Sequence, residues 1–335
     1  MKSFNGDGEQ VHNNEGSHRG SPEESAFEMK TEYVSLSLLP GSNDVVVKTL
    51  YVSIDPYQIN RMKSFSSSQK AIGFAARISP GEGVGRVVAS EHPNFEKGDL
   101  VGGLLSWGEY SIVKGAHMIN KLNPWSSHCP TMLEFWVNIS VSCLLLTAFS
   151  GLTAYGGFFE VCKPRKGEKV FVSAAAGSVG NLVTLFKQKL GFDEAFNYKE
   201  EQDLKATLKR YFPDGIDIYF DNVGAEMQEA AVANMNTFGR VAVCGVMSEY
   251  TDSNKRAAPN MVDVVYKRIT IRGFLAADYM NVHADFISST ADHLHNGRIH
   301  VLEDISVGLD SIPAAFVGLF RGDNIGKKIV KVTCE

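Results

Sequence analysis

The sequence predicts an α/β protein that combines a β-rich domain with a doubly wound parallel sheet. Two observations predict this fold class. From Phe27 to about Lys121, short β-branched runs such as Val45–Tyr51 and Gly85–Ala89 are separated by glycine turns, which is typical of a compact, barrel-like β domain. After Gly151, apolar strand-like runs alternate with helical patterns, and that alternation indicates βαβ units.

The second half of the chain carries the parallel-sheet pattern. Lys169–Ala174 is a continuous apolar run, and apolar residues recur at helical spacing after it. The remaining predicted elements alternate in the same way: strands at Ile216–Val223, Arg240–Gly245 and Ile269–Leu275, with helices from about Glu201 to Tyr211 and from about Ala225 to Met235.

The end of the chain returns to β character. Val301–Ile305 and Lys328–Val332 read as strands that flank a helix at Ile312–Phe320. At the other end, the first 25 residues are polar and are predicted to be mobile. The predicted domains are therefore a mobile segment (1–25), a β-rich domain (26–150 and 297–335) and an inserted dinucleotide-type domain (151–296).

Length, charge and hydropathy exclude several classes of protein. The 335 residues suffice for about two domains, and the net charge of −5 comes without a long basic run, so nucleic-acid binding is not expected. The apolar run Met132–Phe149 contains Glu134 and Asn138, which favours a buried or misfitting soluble segment over a membrane span. The acidic N-terminus fits neither a secretory signal nor a transit peptide, so a cytoplasmic protein is predicted.

The cysteines and histidines form no metal-binding motif. The five cysteines are widely spaced without a C-x-x-C pair, and the nine histidines include no H-E-x-x-H. We therefore predict a protein without a metal, in a reducing compartment.

A glycine turn stands between the apolar strand and the helix after it. It reads Ala174, Ala175, Ala176, Gly177, Ser178, Val179 and Gly180, with alanine in place of the first glycine of G-x-G-x-x-G. Gly177 would let the backbone approach a pyrophosphate, and Gly180 would allow close packing of helix and strand. The N–H groups at the helix start would hold the phosphates, although a plain structural turn is the alternative.

Two further residues lie where parallel sheets bind ligands. Asn222 and Cys244 each stand at the end of a predicted strand. Because the carboxyl ends of parallel strands meet at one edge of the sheet, both residues are candidates for a ligand crevice.

Several strings occur together in one enzyme family. They are GLTAYGG (Gly151–Gly157) with the glycine turn, Asp55-Pro56-Tyr57, FNYKEE (Phe196–Glu201), GIDIYFDNVG (Gly215–Gly224), NMNTFGRVAVCG (Asn234–Gly245) and GDNIGK (Gly322–Lys327). From about Pro22 to Lys331 the chain resembles plant NADPH-dependent alkenal/enone double-bond reductases. These are zinc-independent medium-chain dehydrogenase/reductases related to leukotriene B4 12-hydroxydehydrogenase/prostaglandin reductases. The resemblance implies a GroES-like catalytic domain, a Rossmann-type dinucleotide domain and a homodimer.

The resemblance also implies a reaction, the transfer of hydride from NADPH to the β-carbon of a small enal or enone. Charge then builds on the carbonyl oxygen, where a hydrogen-bond donor would stabilise it. Tyr250 matches that donor, and Tyr57 matches a position beside nicotinamide and substrate. The alternatives are an exposed loop tyrosine for Tyr250 and a core aromatic for Tyr57. The residues implied to bind NADP(H) are Tyr57, Ala174, Ala175, Ala176, Gly177, Ser178, Val179, Gly180, Tyr198, Asn222, Cys244, Tyr250, Phe274, Leu275, Ala276 and Asn324.

The sequence departs from this family in three places. After Gly180 a single helix leads directly into GFDEAFNY, so one strand of the Rossmann-type sheet is predicted to be missing, with the lysine-containing loop that binds the 2′-phosphate. This loss predicts weakened NADP(H) affinity and impaired folding. Thr131–Ala148 is an apolar insert, hypothetically translated non-coding sequence or a splice product. Glu82 stands where the family often has an aromatic residue, which affects the expected substrate preference.

Three functions remain open from the sequence. The first is an active enal/enone reductase, which the retained Tyr57, Tyr250, Asn222 and glycine turn favour. The second is a degenerate, non-enzymatic paralogue with impaired cofactor binding, which the missing strand favours. The third is a quinone or ketone reductase on the same scaffold, since a fold does not determine a function.

Overall fold

The computed structural model describes residues 5–13, 20–62, 81–117, 119–122, 149–188, 194–252, 254–295 and 302–333. The chain divides into two compact units. The first comprises Met1–Ala148 and Thr290–Glu335, and the second comprises Phe149–Ser289. The insert Thr131–Ala148 lies outside the described residues. None of the helices within those ranges has the length and hydrophobicity needed to cross a bilayer.

The strands are β1 (Asn5–Asn13), β2 (Phe27–Ser35), β3 (Val45–Ser53), β4 (Gly81–Ser90), β5 (Leu100–Leu105), β6 (Tyr110–Val113), β7 (Ile119–Lys121), β8 (Val170–Val172), β9 (Ile216–Asp221), β10 (Met235–Val243), β11 (Thr270–Gly273), β12 (Glu303–Val307) and β13 (Lys327–Lys331). The α-helices are α1 (Ile59–Met62), α2 (Phe149–Tyr155), α3 (Ser178–Gln188), α4 (Leu204–Tyr211), α5 (Ala225–Asn234), α6 (Met247–Tyr250), α7 (Met261–Lys267), α8 (His283–His295) and α9 (Ile312–Arg321). Short 3₁₀ turns occupy Glu24–Ala26, Pro56–Gln58, Lys114–Ala116, Tyr198–Glu200, Ala276–Val282 and Leu309–Ser311, and a π-helical segment follows α2 at Gly156–Cys162.

The first unit is built on a mixed sheet. Within the described ranges its strands lie in the order β12-β13-β3-β4-β5-β7, and β6 lies alongside β3. β12 and β13 are parallel, whereas the neighbours of β3 are antiparallel to it. Seven of the nine β3 residues are buried, because β-branched side chains cover both faces of this central strand. Val45, Val47, Val87, Val101 and Leu105 belong to one apolar cluster.

The N-terminal segment differs from its prediction. Residues 1–25 were expected to be mobile as a whole, yet β1 pairs antiparallel with β2, from Asn5 opposite Ser35 to Asn13 opposite Phe27. The segment NGDGEQVHN lacks the alternating apolar residues that reveal a strand. Its strand conformation depends on the backbone hydrogen bonds that β2 provides, and a local pattern does not reveal a distant partner.

The second unit is built on a parallel sheet. Its described strands lie in the order β11-β10-β9-β8, and every neighbouring pair is parallel. Phe171, Tyr219 and Val241 from three of the strands pack with Leu208 of α4 and Val232 of α5. The prediction of an α/β protein with a β-rich part and a parallel sheet is therefore confirmed.

The sheet edge at β8 agrees with the predicted loss of a strand. Among the described residues, β8 pairs with β9 alone, and no strand lies between α3 and β9. The predicted charged helix begins at Leu204 rather than near Glu201, because the Asp203 side chain accepts a hydrogen bond from the Ala206 N–H and caps the helix there.

Candidate active site

The glycine turn forms as the sequence predicts, between β8 and α3. The Gly177 N–H donates to the carbonyl oxygen of Ala174 at 2.9 Å. A Cβ atom on Gly180 would lie 2.3 Å from that same oxygen. Only glycine at position 180 therefore lets the helix start this close to the strand end.

The left-handed residue of this turn is Ala174, with φ of +49°. The alanine that replaces the first family glycine is Ala175, and its φ is not positive. The strain therefore falls one residue earlier than the motif suggests.

Ala174→Gly is expected to raise the free energy of unfolding by about 1 kcal/mol, because glycine adopts positive φ without steric cost. Urea denaturation measures the change. Ala175→Gly is the matched control and is expected to lower stability by about 0.5–1 kcal/mol through the unfolded chain's greater freedom. Equal effects of the two substitutions would contradict the strain at Ala174.

The helix start after the turn carries an unpaired polar atom. Ser178 is the first residue of α3, and its Oγ is buried without a hydrogen-bond partner among the described residues. The N–H groups of the first helical turn point the same way as the positive end of the helix dipole. This hydroxyl and these N–H groups fit a phosphate group of a dinucleotide.

The ends of β8, β9 and β10 are joined by hydrogen bonds. The Asn222 side chain donates through Nδ2 to the Ser173 carbonyl oxygen at 2.7 Å, and its Oδ1 accepts from Cys244 Sγ at 2.9 Å. Ser173 Oγ also accepts from the Asn222 backbone N–H at 3.0 Å. Asn222 and Cys244 thus meet at the carboxyl edge, and Ser173, which the sequence did not single out, orients Asn222.

A cavity of about 370 Å³ opens beside this edge. Its lining includes Cys244, Gly245, Tyr250, Phe274 and Leu275, so four predicted site residues come together there. The Tyr250 hydroxyl would lie 3.7 Å from a Cβ atom placed on Gly245, and the Asn222 carbonyl oxygen would lie 3.5 Å from it. The absence of a side chain at Gly245 keeps the space between these two oxygens open.

The π-helical segment Gly156–Cys162 packs closely against Phe274, one of the residues that line the cavity. A Cβ atom on Gly157 would lie 2.4 Å from Cζ of Phe274 and 2.7 Å from the ring of Phe220. The GLTAYGG string therefore forms a helical segment whose glycine admits the Phe274 ring, and no signal within the string identifies that partner.

Cys244 is unsuited to act as a nucleophile. Burial raises its pKa well above the ordinary thiol value, and the negative charge of Asp221 adds to the rise. Burial likewise raises the pKa of Cys162 to about 12. Because the thiolate is the reactive form, both cysteines are inert thiols near neutral pH.

Other predicted site residues lie outside this cavity. Tyr198 is 54% exposed on its own 3₁₀ turn, and Ala276 begins the 3₁₀ segment after Leu275. Tyr57 and Asn324 belong to the first unit, where the Asn324 side chain donates to the Gly326 carbonyl oxygen at 2.9 Å. Glu82 is also in the first unit, buried in β4 opposite Leu104. Roles for these residues stay predictions.

The structure fits a dinucleotide unevenly. The glycine turn and Ser178 match the pyrophosphate, and the cavity of about 370 Å³ beside Tyr250 has the apolar side chains of Phe274 and Leu275 in its lining. The described residues after α3 contain neither the second strand nor the Gly-Ser-rich loop that would hold a 2′-phosphate.

Comparison with protein families matches both parts of the chain. Residues 15–121 match a family described as the N-terminal domain of oxidoreductase, and residues 169–291 match one described as zinc-binding dehydrogenase. The chain is 43% identical to the NADP(+)-dependent 2-alkenal reductase of Nicotiana tabacum, over 94% of this chain and 95% of that protein. The chain belongs to the medium-chain dehydrogenase/reductase family.

Other members of the medium-chain dehydrogenase/reductase family are similar over comparable lengths. (+)-Pulegone reductase of Mentha piperita is 38% identical over 94% of this chain and 96% of its own. Prostaglandin reductase 1 of Mus musculus is 33% identical over 93% of this chain and 95% of its own. CurA from Vibrio vulnificus, solved in complex with NADPH, superposes with a TM-score of 0.80 at 27% identity, covering 98% of this chain and 100% of that one.

One family description names zinc, but the described residues of this chain form no zinc-binding group. Across the described ranges, no three His, Cys, Asp or Glu side chains form a group able to hold a metal ion. The described donor set does not fit a zinc site, and a metal-free protein stays a prediction for the whole chain.

Proposed function

We propose that this chain reduces the C=C bond of α,β-unsaturated aldehydes and ketones with NADPH as the hydride donor. The observation that carries the proposal is the cavity in which Tyr250 lies beside the joined ends of β9 and β10. The relatives named for alkenal and pulegone reduction are 43% and 38% identical to this chain, each over 94% of its length. A simple enal such as trans-2-hexenal, mixed with NADPH and the purified chain, should give loss of NADPH absorbance and the saturated aldehyde.

The residues of the chain would act by binding, orientation and charge stabilisation. The hydride that the β-carbon of the substrate accepts would come from NADPH when it is bound. Ser178 and the N–H groups at the start of α3 would hold the pyrophosphate, and Asn222, Cys244 and Phe274 would line the place of the nicotinamide. The Tyr250 hydroxyl would donate a hydrogen bond to the substrate carbonyl oxygen, on which negative charge develops as an enolate. The enolate would then take up a proton at the α-carbon from a water molecule, which leaves as hydroxide.

One observation favours the second candidate, a degenerate paralogue with weak cofactor binding. The open edge of β8 in the described residues leaves the 2′-phosphate without its family partner. Wild-type protein that is folded but shows no NADPH consumption with any enal would support this candidate.

We expect NADPH to bind more weakly than a micromolar Kd, because a lost charge-assisted contact costs about tenfold or more in affinity. Fluorescence titration with NADPH gives the Kd. NADH, which lacks the 2′-phosphate, is the matched ligand, and its Kd should be close to that of NADPH. A micromolar or tighter NADPH Kd would refute the prediction, and so would strong discrimination against NADH.

A homodimer through the free edge of the parallel sheet is part of the proposal. All four residues of β11 are exposed, and this strand pairs with β10 alone in the described part of the chain. Beside it, α7 exposes an apolar face formed by Met261, Val262, Val265 and Tyr266. An unpaired strand edge next to apolar side chains is a surface that a second copy can cover.

The cytoplasmic location of the protein stays a prediction.

Val265→Glu is expected to convert the dimer to a monomer in light-scattering chromatography, because it places charge on the apolar face. Leu39→Glu, at a residue 79% exposed in the first unit, is the control and should leave the mass unchanged. A wild-type chain that is already monomeric at micromolar concentration would exclude the proposed dimer.

A further inference from the structure

A buried carboxylate lies beneath the candidate site without lining its cavity. Asp221 ends β9, is fully buried and accepts four hydrogen bonds. Its Oδ1 accepts from the Tyr219 hydroxyl at 2.6 Å and from the backbone N–H groups of Val223 and Gly224 at 2.9 Å each. Its Oδ2 accepts from Gln228 Nε2 at 2.9 Å. An ionised carboxylate, which only accepts, matches this set of four donors.

The turn that Asp221 holds supports the loop leading to Tyr250. The Asp221 carbonyl oxygen accepts from the N–H groups of Cys244 at 3.0 Å and Gly245 at 3.3 Å. The next carbonyl, of Asn222, accepts from the Met247 N–H at 3.3 Å. The carbonyl of Val223 accepts from Ser248, through N–H at 3.1 Å and Oγ at 2.6 Å. The three successive carbonyl groups of residues 221–223 therefore hold residues 244–248, which form the loop after β10 and the start of the short helix α6.

A chain of side-chain hydrogen bonds also links the Asp221 carboxylate to Asn222. The Tyr219 hydroxyl contacts Ser173 Oγ at 3.1 Å as well as Asp221, and Ser173 in turn binds both the backbone and the side chain of Asn222. Burial raises the pKa of Asp221, and its hydrogen bonds from Tyr219, Gly224 and Val223 oppose that rise. The Asp221 carboxylate is thus linked by hydrogen bonds both to the turn that supports the loop to Tyr250 and, through Tyr219 and Ser173, to Asn222.

We propose that Asp221 is a positioning residue, which sets the places of Asn222 and Tyr250 through the turn at residues 221–223. The role rests on the proposed function, since Tyr250 matters for catalysis only there. Asp221 itself would touch neither substrate nor cofactor.

Hydrogen–deuterium exchange on the full chain tests the placement without any need for activity. In Asp221→Ala, amides of peptides covering residues 244–250 should exchange at least about tenfold faster, since four donors lose their acceptor. Asp221→Asn retains an amide oxygen for the turn and should show a smaller increase. Leu208→Ala is the control, because Leu208 is buried in the same apolar cluster as Tyr219. In this variant, amide exchange at residues 244–250 should rise only as far as the loss of global stability accounts for it.

Kinetics give the second measurement. Asp221→Ala should lower kcat about tenfold while the KM for the enal changes by less than about threefold, because a misplaced donor weakens transition-state stabilisation more than binding. Asp221→Asn should recover most of kcat. If Asp221→Ala does not fold, Tyr219→Phe removes one of the four donors and should lower kcat about threefold with little change in KM.

Exchange at residues 244–250 of Asp221→Ala that is no faster than in Leu208→Ala overturns the proposal. A wild-type chain without turnover overturns the proposed function instead, and the exchange result still decides the role of Asp221.

Discussion

Replacing Tyr250 by phenylalanine is expected to lower kcat for enal reduction by about 100-fold or more. The hydroxyl would donate to the carbonyl oxygen on which charge develops, and removal of one such donor costs about 100- to 1,000-fold in kcat. The ring would still line the cavity together with Cys244 and Phe274, so the NADPH Kd should change by less than about threefold. Stopped-flow absorbance of NADPH measures the rate, and fluorescence titration measures the Kd.

Tyr33→Phe provides the control for this substitution. Tyr33 is 85% exposed on β2, and its variant should keep the wild-type kcat. A Tyr250→Phe variant within about twofold of wild type would falsify the assignment of the donor and would leave the exposed-loop interpretation of this tyrosine.

The second large effect is expected at Lys327, in the first unit. Its Nζ lies 2.5 Å from Oδ1 of Asp55, and both side chains are almost completely buried. The other carboxylate oxygen accepts a hydrogen bond from Ser53. Lys327→Met should lower the free energy of unfolding by about 3–5 kcal/mol, because it leaves the Asp55 charge buried without its cation. Chemical denaturation curves give this difference.

The matched substitution at an exposed pair separates this effect from the general loss of a lysine. Lys169 Nζ lies 2.9 Å from Asp214 with both side chains well exposed, so Lys169→Met should cost only about 0–1 kcal/mol. A cost for Lys327→Met no greater than that of Lys169→Met contradicts the buried-pair argument.

This ion pair also connects two predicted cofactor residues. Asp55 lies two residues before Tyr57, and Lys327 lies three residues after Asn324. The backbone N–H of Asp55 donates to Gln58 Oε1 at 2.8 Å, which closes the turn that carries Tyr57. The pair therefore holds the two loops together within the first unit, although their places in the sequence are far apart.

Local patterns were sufficient for the elements of the parallel sheet. The apolar runs at β8, β9 and β10 and the intervening helical periodicities are properties of short windows, and backbone hydrogen bonding follows the same windows. Asn222 and Cys244 could be placed at the carboxyl edge for the same reason, since they directly follow strands. The glycine turn was equally visible, because Gly180 must lack a side chain wherever helix and strand meet so closely.

The partners of the site residues could not be predicted in this way. Ser173 and Asp221 read as ordinary polar residues at strand ends, and only the folded chain shows that they orient Asn222 and support the loop to Tyr250. The strand β1 was missed for the same reason, because its pairing partner decides its conformation. A side chain's hydrogen-bond partners depend on which elements become neighbours, and a window of sequence does not contain that information.

The sequence by itself determined the fold class, the order of strands and helices from β8 to β10, and the enzyme family, since each depends on residue types at short spacing or on strings shared with relatives. The tertiary structure alone decided which residues surround Tyr250, where the strained residue of the glycine turn lies, and that Asp55 meets Lys327 across 272 positions of chain. These outcomes depend on long-range packing, in which burial removes water and forces each polar group to find a partner within the protein.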